Sequence, residues 1–324
     1  MPAPIIVPLD RSGFAEEALP LASDIAARLE EPLQLTLVHA IVPMLPEAAL
    51  AGAPDLDAQV RAEEQAYLEH LAHRLSVEAG VFATTAILDG PVAPTLIEHA
   101  RSLRPQVLVM TTHGRGGLSR LFLGSVADRL IRKLHCPLVL VHAGDPLAKP
   151  PGGEPRHILI PLDGSALAES VIDQVLAVFG REEVLLELVR VVAPHRDVFV
   201  DSDAPLETPS LMEQTLLAAN RYLHAVAARL RQLGLTVHAE VRIDRSVAHA
   251  TLSHAEDRHS DLIALATRGL GGLERVVLGS VADKLVRGAR VPLLVWNPPA
   301  EASSEVLLST VRAMARPSLA LAAG

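Results

Sequence analysis

The chain has little of three things: cysteine, aromatic residues and long apolar runs. Its 324 residues include one cysteine, Cys136, and aromatic side chains make up 2%. One cysteine excludes an intrachain disulfide and fits a reducing cytoplasm, and so few aromatics leave no stacking platform for nucleic acid. No run reaches the roughly 18 uninterrupted apolar residues of a transmembrane helix, and the N-terminus has no signal-peptide pattern. The sequence therefore predicts a cytoplasmic protein with neither nucleic acid nor membrane as a partner.

The charge balance and the apolar content set two further limits. Acidic residues outnumber basic ones, 38 to 29, which gives a formal net charge of −9. A chain of this sign does not bind nucleic acid or an anionic membrane through bulk electrostatics. Apolar residues nevertheless make up 49% of the chain. Since aromatics are so scarce, the core must be built from Val, Leu, Ile and Ala.

The most informative segment is rich in glycine and occurs twice. It reads Gly-Arg-Gly-Gly-Leu-Ser-Arg-Leu-Phe-Leu-Gly-Ser-Val-Ala-Asp over 114–128 and returns almost unchanged over 269–283. Glycines let backbone N–H groups approach an anion closely. The N-terminus of a following helix adds unsatisfied N–H groups and the positive end of the helix dipole. The repeat therefore predicts two phosphate-binding sites.

The duplication extends over nearly the whole chain. Val-Pro-Leu-Asp at 7–10 matches Ile-Pro-Leu-Asp at 160–163, and the order of predicted elements is the same in both copies. A length of 324 residues also suggests about two domains. The predicted units are domain 1 (1–144), a linker rich in Pro and Gly (145–154), domain 2 (155–298) and a C-terminal tail (299–324).

Short runs of Val, Ile and Leu alternate with longer helical patterns in both copies. Such runs are typical of strands buried on both faces of a parallel sheet. The alternation predicts an α/β fold, with a doubly wound, five-stranded parallel sheet in each domain and ligands at the carboxyl ends of the strands. We expect strands near 3–9, 34–41, 81–88, 106–111 and 137–141, and near 157–162, 184–192, 236–243, 261–266 and 292–296. We expect helices near 14–30, 55–79, 91–103, 124–134 and 211–233.

The spacing within the repeated loop separates it from other phosphate motifs. It lacks the lysine of the P-loop, and it does not follow the first strand, where the dinucleotide fingerprint lies. It consists of Gly, nine residues and Gly-Ser, from Gly114 to Gly124-Ser125 and from Gly269 to Gly279-Ser280. With the words Thr-His-Gly-Arg-Gly-Gly-Leu and Leu-Gly-Ser-Val-Ala-Asp, the chain resembles the universal stress protein family in its tandem form. The resemblance implies Rossmann-like domains of the adenine nucleotide α-hydrolase type.

The resemblance also implies a nucleotide site in each domain, with ATP as the ligand, with or without Mg²⁺. Family members that bind ATP carry Gly-x-x-Gly-x9-Gly-Ser/Thr at this place. The implied residues of domain 1 are Pro8, Leu9 and Asp10 at the nucleoside, Ala40 and Met110 at the adenine, and Gly114, Gly124, Ser125 and Val126 at the phosphates. Those of domain 2 are Pro161, Asp163, Val191, Leu265, Gly269, Gly279, Ser280 and Val281. Arg115 would add a charge where domain 2 has Leu270, so we expect tighter binding by domain 1.

Both copies depart from the family pattern at its first glycine, which is Thr111 in domain 1 and Ala266 in domain 2. A Cβ there would crowd the ribose-phosphate or demand a different backbone angle. The alternative function is therefore an adaptor or structural stress protein with degenerate sites. Structural roles are open for the site residues too: Asp10 could only cap a turn, and each Gly-Ser could be an ordinary helix start with Ser as the cap.

The residues favour binding over catalysis. A phosphate cradle without lysine, metal carboxylates or a general base offers little to phosphoryl transfer. We therefore expect a stress-response sensor or regulator with at most slow, incidental ATP hydrolysis. An enzyme of the nucleotide α-hydrolase group would need a catalytic residue that the motifs do not show. We expect none of the fourteen histidines to recur in the other copy or to bind a metal, because the Cys or carboxylate spacing of a zinc site is missing.

The resemblance further implies how the domains associate. Domains of the family pair through their final strands, so 137–141 and 292–296 are expected to join the two sheets within one chain. The chain is then a pseudo-dimer, and two chains could form a homodimer.

Overall fold

The computed structural model describes residues 3–28, 34–42, 54–112, 123–142, 155–182, 184–194, 210–267 and 278–299. Most of the predicted linker and tail lies outside these ranges. So do three predicted site residues of the glycine loops: Gly114, Arg115 and Gly269.

Strands and helices alternate along both domains. Domain 1 contains β1 (Ile5–Pro8), α1 (Gly13–Glu16), α2 (Leu19–Arg28), β2 (Leu35–Ile41), α3 (Pro54–Ala79), β3 (Ala83–Asp89), α4 (Val92–Leu103), β4 (Val107–Thr111), α5 (Ser125–Lys133) and β5 (Leu138–Val141). Domain 2 contains β6 (Arg156–Pro161), α6 (Ala166–Phe179), β7 (Val184–Val192), α7 (Leu211–Gln232), β8 (Thr236–Ile243), α8 (Val247–Asp257), β9 (Leu262–Ala266), α9 (Ser280–Gly288) and β10 (Leu293–Trp296). All the predicted strands are therefore present.

The strands form one sheet in the order β3-β2-β1-β4-β5-β10-β9-β6-β7-β8. Within each domain the neighbouring strands are parallel, as the predicted doubly wound fold requires. β5 and β10 are antiparallel, with Val139 opposite Leu294. The expected pairing of the two final strands within one chain is thus present, and it makes a single sheet of two five-stranded halves.

The single helix predicted over 14–30 is wrong. The structure has two helices there, α1 and α2, because Pro20 lacks the N–H that would donate to the carbonyl of Glu16. Domain 2 has Asp173 at the position of Pro20, and its helix α6 continues without a break.

Two apolar layers cover the two faces of the sheet, and both are almost wholly aliphatic as expected. One layer joins the strands to α2, α3, α6 and α7, and the other joins them to α4, α5, α8 and α9. Phe179 is the one aromatic residue among the largest fully buried side chains. Each layer runs across both domains, so the two halves share their core.

Two equivalent residues tie the domains together beside the central strand pair. His142 follows β5, and its Nε2 lies 2.8 Å from the carbonyl oxygen of Val286 in α9. Asn297 holds the corresponding position after β10, and its Nδ2 donates to the carbonyl oxygen of Arg132 in α5 at 3.2 Å. The end of each domain's last strand therefore bonds to the last helix of the other domain.

Candidate functional site

Each domain has a point where the strand order reverses. In domain 1 the chain runs outward from β1 to β2 and β3, then returns to β4 on the other side of β1. Domain 2 repeats this around β6 and β9. A doubly wound sheet opens a crevice at the carboxyl ends of these two strands. Pro8 and Thr111 end β1 and β4, and Pro161 and Ala266 end β6 and β9, so these predicted residues lie at the crevices.

The turn after the first strand is built in the same way in both domains. Ser12 donates to Oδ1 of Asp10 from its backbone N–H at 3.0 Å and from its hydroxyl at 2.5 Å. Ser165 makes the same two bonds to Oδ1 of Asp163, at 2.9 and 2.6 Å. Both serines are helix N-caps. Each aspartate thus has the structural role that the sequence left open, and any ligand contact must share a carboxylate that already orders this turn.

The residue after each aspartate adopts a left-handed backbone conformation. It is Arg11 in domain 1, with φ of 63°, and Gly164 in domain 2, with φ of 92°. Only glycine adopts this region without cost. Arg11 is therefore a strained position in domain 1, at the edge of the crevice.

A guanidinium group stacks on the equivalent tyrosine in both domains, but it comes from different elements. In domain 1 the Arg11 guanidinium lies 5.7 Å from the ring centre of Tyr67. In domain 2 the Arg190 guanidinium from β7 lies 4.9 Å from the ring centre of Tyr222 and fills the space beside Gly164. The same cation–aromatic contact is thus supplied by the turn in one domain and by a strand in the other.

The helices after the glycine loops begin at the predicted Gly-Ser pairs. Gly124 is the N-cap of α5, and Gly279 is the N-cap of α9. Ser125 and Ser280 are the first helical residues and are exposed. The alternative in which these serines cap their helices is therefore wrong. The hydroxyls lie at the open edge beside the next predicted residues, Val126 and Val281.

The two N-cap glycines differ in the space around them. The N–H of Gly124 donates to the carbonyl oxygen of Thr112 at 3.0 Å, and an added Cβ would lie 2.8 Å from that oxygen. An added Cβ at Gly279 meets nothing within 4 Å among the described residues. Glycine is thus sterically required at the first position, whereas no described residue opposes a side chain at the second.

Thr111 and Ala266 have ordinary strand geometry. Each is the last residue of its strand, paired with Val141 and Trp296 respectively. Strand backbone is extended and accepts any side chain, so no unusual angle explains a need for glycine at these two positions.

The remaining predicted residues lie at the same edge with different exposure. Met110 and Leu265 are nearly buried in the apolar layer beneath the crevice. Ala40 and Val191 are half-buried near the ends of β2 and β7. The structure brings these residues together as expected, and their contacts with a nucleotide stay a prediction.

Sequence reasoning missed a buried polar group under the crevice of domain 1. Nδ1 of His39 lies 2.8 Å from the carbonyl oxygen of Leu9, and its Nε2 lies 3.7 Å from Oε2 of the buried Glu64. Arg11 reaches Oε1 of Glu64 at 3.2 Å. A histidine within the apolar run of β2 was the available signal, since buried polar residues need partners.

The expectation that no histidine recurs is also wrong. Val92 and Val247 begin α4 and α8, and with these aligned His99 corresponds to His254. The His254 side chain is buried, and Nε2 of His99 is buried without a hydrogen-bond partner among the described residues. Burial lowers the pKa of His99.

Comparison with known proteins decides the family. A family model described as the universal stress protein family matches residues 1–142 and again residues 154–297. The chain belongs to the universal stress protein family. It carries two domains of that family in tandem, as the duplicated motifs predicted.

Relatives of similar length share the tandem organisation. A universal stress protein of Mycolicibacterium smegmatis is 26% identical over 305 residues, covering 91% of this chain and 97% of the relative. One from Mycobacterium tuberculosis is 26% identical over 306 residues, covering 90% and 95%. A solved universal stress protein of Archaeoglobus fulgidus has a TM-score of 0.66 at 17% identity, covering 92% of this chain and 99% of that one. This structural likeness shows the fold.

Within the described ranges, no helix combines the length and apolar character that a membrane crossing requires.

Proposed function

We propose that each domain binds an adenine nucleotide, ATP, and that occupancy regulates the conformation or partner choice of a cytoplasmic stress-response protein. One observation carries this proposal: in both domains a Gly-Ser helix N-terminus lies at the carboxyl edge of the sheet, at its switch point. Anions bind at such helix starts because N–H groups and the helix dipole point toward them. The family resemblance selects ATP, with or without Mg²⁺, among the anions.

Backbone donors at the first turn support the proposal. The hydrogen-bond ladder of α5 begins where the N–H of Asp128 donates to the carbonyl of Gly124 at 2.9 Å, and α9 begins in the same way at Asp283. The N–H groups of Ser125 and Val126 come before that ladder and have no acceptor within the helix. They can therefore donate hydrogen bonds to phosphate oxygens. The exposed serine hydroxyl lies beside them.

Carboxylates near these helix starts are already paired, which supports binding without dedicated catalysis. Arg132 holds Asp128 with a pair of hydrogen bonds, at 3.0 Å from Nε and 2.7 Å from Nη2. Arg287 holds Asp283 in the same way, at 3.0 Å from both nitrogens. A carboxylate bound by a guanidinium is a poor general base. We therefore expect nucleotide to be held and released with at most slow hydrolysis.

A charge placed at the serine tests the site without disturbing the fold. Ser125→Asp and Ser280→Asp put a carboxylate in the first helical turn, where it stabilises the helix through the dipole. The same carboxylate repels a polyphosphate, so ATP affinity of that domain should fall about tenfold or more, or roughly 1.4 kcal/mol. The matched controls, Ser125→Asn and Ser280→Asn, add a similar volume without charge and should bind ATP much more nearly like the parent.

Calorimetric titration with ATP, with and without Mg²⁺, measures these affinities, and mass spectrometry of gently purified, then denatured protein identifies bound nucleotide. Two binding events per chain, each weakened by its own Asp variant, are the expected result. The double variant Ser125→Asp with Ser280→Asp should show both binding events weakened, each about tenfold or more. ATP affinity that is equal in the Asp and Asn variants, or no binding by the parent chain, would favour the adaptor with degenerate sites.

Sedimentation of the full chain with and without ATP tests whether two chains form a homodimer.

A further inference from the structure

A second polar cluster lies inside domain 2, away from the crevice, on the sheet face that α8 covers. Its centre is Glu187 in β7, whose side chain is 0% exposed. Nε2 of His254, from α8, lies 3.0 Å from Oε1 of Glu187. Nε2 of His157 and Nδ1 of His238 each lie 3.5 Å from its Oε2. A single buried carboxylate is therefore surrounded by three imidazole rings from β6, β8 and α8.

The cluster opens to solvent on one side, through Glu240 and Arg258. Oε1 of Glu240 lies 3.8 Å from Nδ1 of His254, and its side chain is 37% exposed. Donor atoms of Glu187, Glu240 and His254 all lie within 4.8 Å of one another. The Arg258 guanidinium lies 3.8 Å from Oε1 of Glu187 and 3.0 Å from Oε2 of Glu240, and its side chain is 45% exposed. An ion could enter from this side.

Two polar atoms at the centre of the cluster lack a normal hydrogen bond. Oε2 of Glu187 and Nε2 of His157 are both buried without a hydrogen-bond partner in the part of the chain that the structure describes. Oε2 of Glu187 is thus a buried acceptor whose neighbouring imidazole nitrogens, from His157 and His238, stay 3.5 Å away, beyond a normal hydrogen bond. Native interiors rarely leave a buried acceptor in this state without a ligand.

Domain 1 shows that the fold does not need this cluster. The strand registers and the aligned helices place six residues at the corresponding positions of domain 1: Pro4, Thr36, Thr84, Ala86, His99 and Leu103. Thr36 and Thr84 replace Glu187 and His238, with their hydroxyl oxygens 3.5 Å apart. One histidine is thus common to both domains, and both carboxylates belong to domain 2 alone.

We propose that Glu187, Glu240 and His254 bind a divalent transition metal ion of the zinc type, with His157 and His238 positioning the Glu187 carboxylate. Two carboxylates and an imidazole suit zinc and its neighbours, whereas Mg²⁺ and Ca²⁺ prefer oxygen ligands throughout. Bonds of about 2.0–2.2 Å from zinc to nitrogen or oxygen place tetrahedral donors roughly 3–4 Å apart. The present separations, up to 4.8 Å, need only side-chain adjustment to reach that range.

Arg258 is the cation that the metal displaces. Its guanidinium contacts both carboxylates and so balances the charge that a metal ion would otherwise balance. Because its side chain is 45% exposed, it can turn into solvent when the ion enters. Removal of Arg258 should therefore raise metal affinity, whereas it would only weaken a cluster whose role is structural.

The test is calorimetric titration of the untagged full chain, stripped with a chelator, with Zn²⁺ at pH 7.5, supported by the absorption spectrum with Co²⁺. We expect one ion per chain and no heat with Mg²⁺ at this site. Glu187→Gln and His254→Gln should each lower Zn²⁺ affinity tenfold or more, and Arg258→Leu, which introduces the residue of domain 1, should raise it several-fold.

Matched controls use the other domain and an exposed pair. His99→Gln changes the equivalent histidine in domain 1, and His249→Gln removes an exposed histidine whose Nδ1 is 3.1 Å from Oδ2 of Asp244. Both should leave the affinity unchanged. If Glu187→Gln does not fold, the pair Glu187→Thr with His238→Thr restores the residues that domain 1 tolerates and must still abolish binding. No stoichiometric Zn²⁺ binding, equal loss in the His249 control, or weaker binding by Arg258→Leu would overturn the proposal.

Discussion

The two domains share a frame and differ in where they place buried charge. In both, a glutamate after the first strand receives a hydrogen bond from a tyrosine and an ion pair from an arginine. In domain 1 Glu16 accepts from Tyr67 at 3.1 Å and from Arg74 at 2.9 Å. In domain 2 Glu169 accepts from the corresponding Tyr222 and Arg229, at 2.9 and 2.5 Å. This network, with the capped turn beside it, is part of what folds each domain.

Outside that network, the two domains bury charged side chains at different positions. Domain 1 buries Glu64 beneath its crevice, next to His39 and Arg11. Domain 2 has Ala219 at the position of Glu64 and instead buries Glu187 on the opposite face of the sheet. Since each domain folds without the other's buried carboxylate, neither carboxylate is required by the architecture. Such residues are therefore the places to look for functions that distinguish the two halves.

A buried ion pair at the interface has no counterpart at the positions related by the duplication, and its loss should lower the stability more than the other substitutions below. Arg156 at the start of β6 pairs with Asp24 of α2, with side chains 5% and 6% exposed. The positions related by the duplication hold Ala3 and Ala177. Arg156→Leu leaves the Asp24 charge buried, so the free energy of unfolding should fall by about 3–5 kcal/mol in urea denaturation.

Two controls separate pairing from packing at this position. The double variant Arg156→Leu with Asp24→Leu removes both charges and should recover most of the lost free energy. Arg290→Leu breaks an exposed pair with Glu256, 3.6 Å long, and should change the free energy of unfolding by less than about 1 kcal/mol. A loss at Arg156→Leu no larger than that at Arg290→Leu would show that the buried pair does not hold the domains together.

An exchange between the two turns should have an intermediate effect. Gly164→Arg gives domain 2 the residue of domain 1 at a φ of 92°, and its Cβ would lie 2.7 Å from Nη1 of Arg190. The backbone strain and the displaced guanidinium should cost about 1–2 kcal/mol of unfolding free energy. Adding Arg190→His supplies the histidine of domain 1, frees the space and should recover part of that cost.

Gly234→Arg isolates the backbone contribution to this exchange. Gly234 follows the end of α7 with a φ of 85°, and an added Cβ meets nothing within 4 Å among the described residues. A smaller loss of stability than in Gly164→Arg, measured by the same urea titration, assigns the difference to Arg190. Equal losses, with no recovery in the double variant, would refute the idea that Arg11 and Arg190 substitute for one another.

Much of the fold could be predicted because the chain contains two copies of the same domain, so the apolar run of each strand occurs twice. Each strand was identified in two copies, and the pairing of β5 with β10 followed from the family resemblance. The break at Pro20 was missed because helical periodicity continues through it, and only the missing N–H interrupts the ladder. Comparison with domain 2, which has Asp173 at the position of Pro20, could have indicated the break.

The candidate site was predictable in position but not in local geometry. The glycine loops and strand ends identified one edge of the sheet, and the structure brings the described site residues to that edge. The sequence could not show that Ser12 and Ser165 bond to the aspartates, or that Gly124 and not Ser125 is the cap. The Glu187 cluster was invisible because its members come from β6, β7, β8 and α8, and only the register of a folded sheet brings them together.

The smallest expected effect concerns Cys136, which domain 2 replaces with Val291. Both side chains are half-buried against the same apolar layer. Burial raises the pKa of the Cys136 thiol to about 12, so the reactive thiolate is almost absent at neutral pH. Cys136→Val should change the free energy of unfolding by less than about 0.5 kcal/mol.

The same burial predicts how slowly this thiol reacts. A disulfide reagent at pH 8 should label the folded chain roughly a hundredfold or more slowly than the urea-unfolded chain, because each unit of pKa lowers the thiolate fraction about tenfold. Slow labelling would indicate that position 136, like its equivalent Val291 in domain 2, requires only a small apolar side chain. Rapid labelling of the folded protein, or a large loss of stability on substitution by valine, would instead give Cys136 a role that Val291 cannot share.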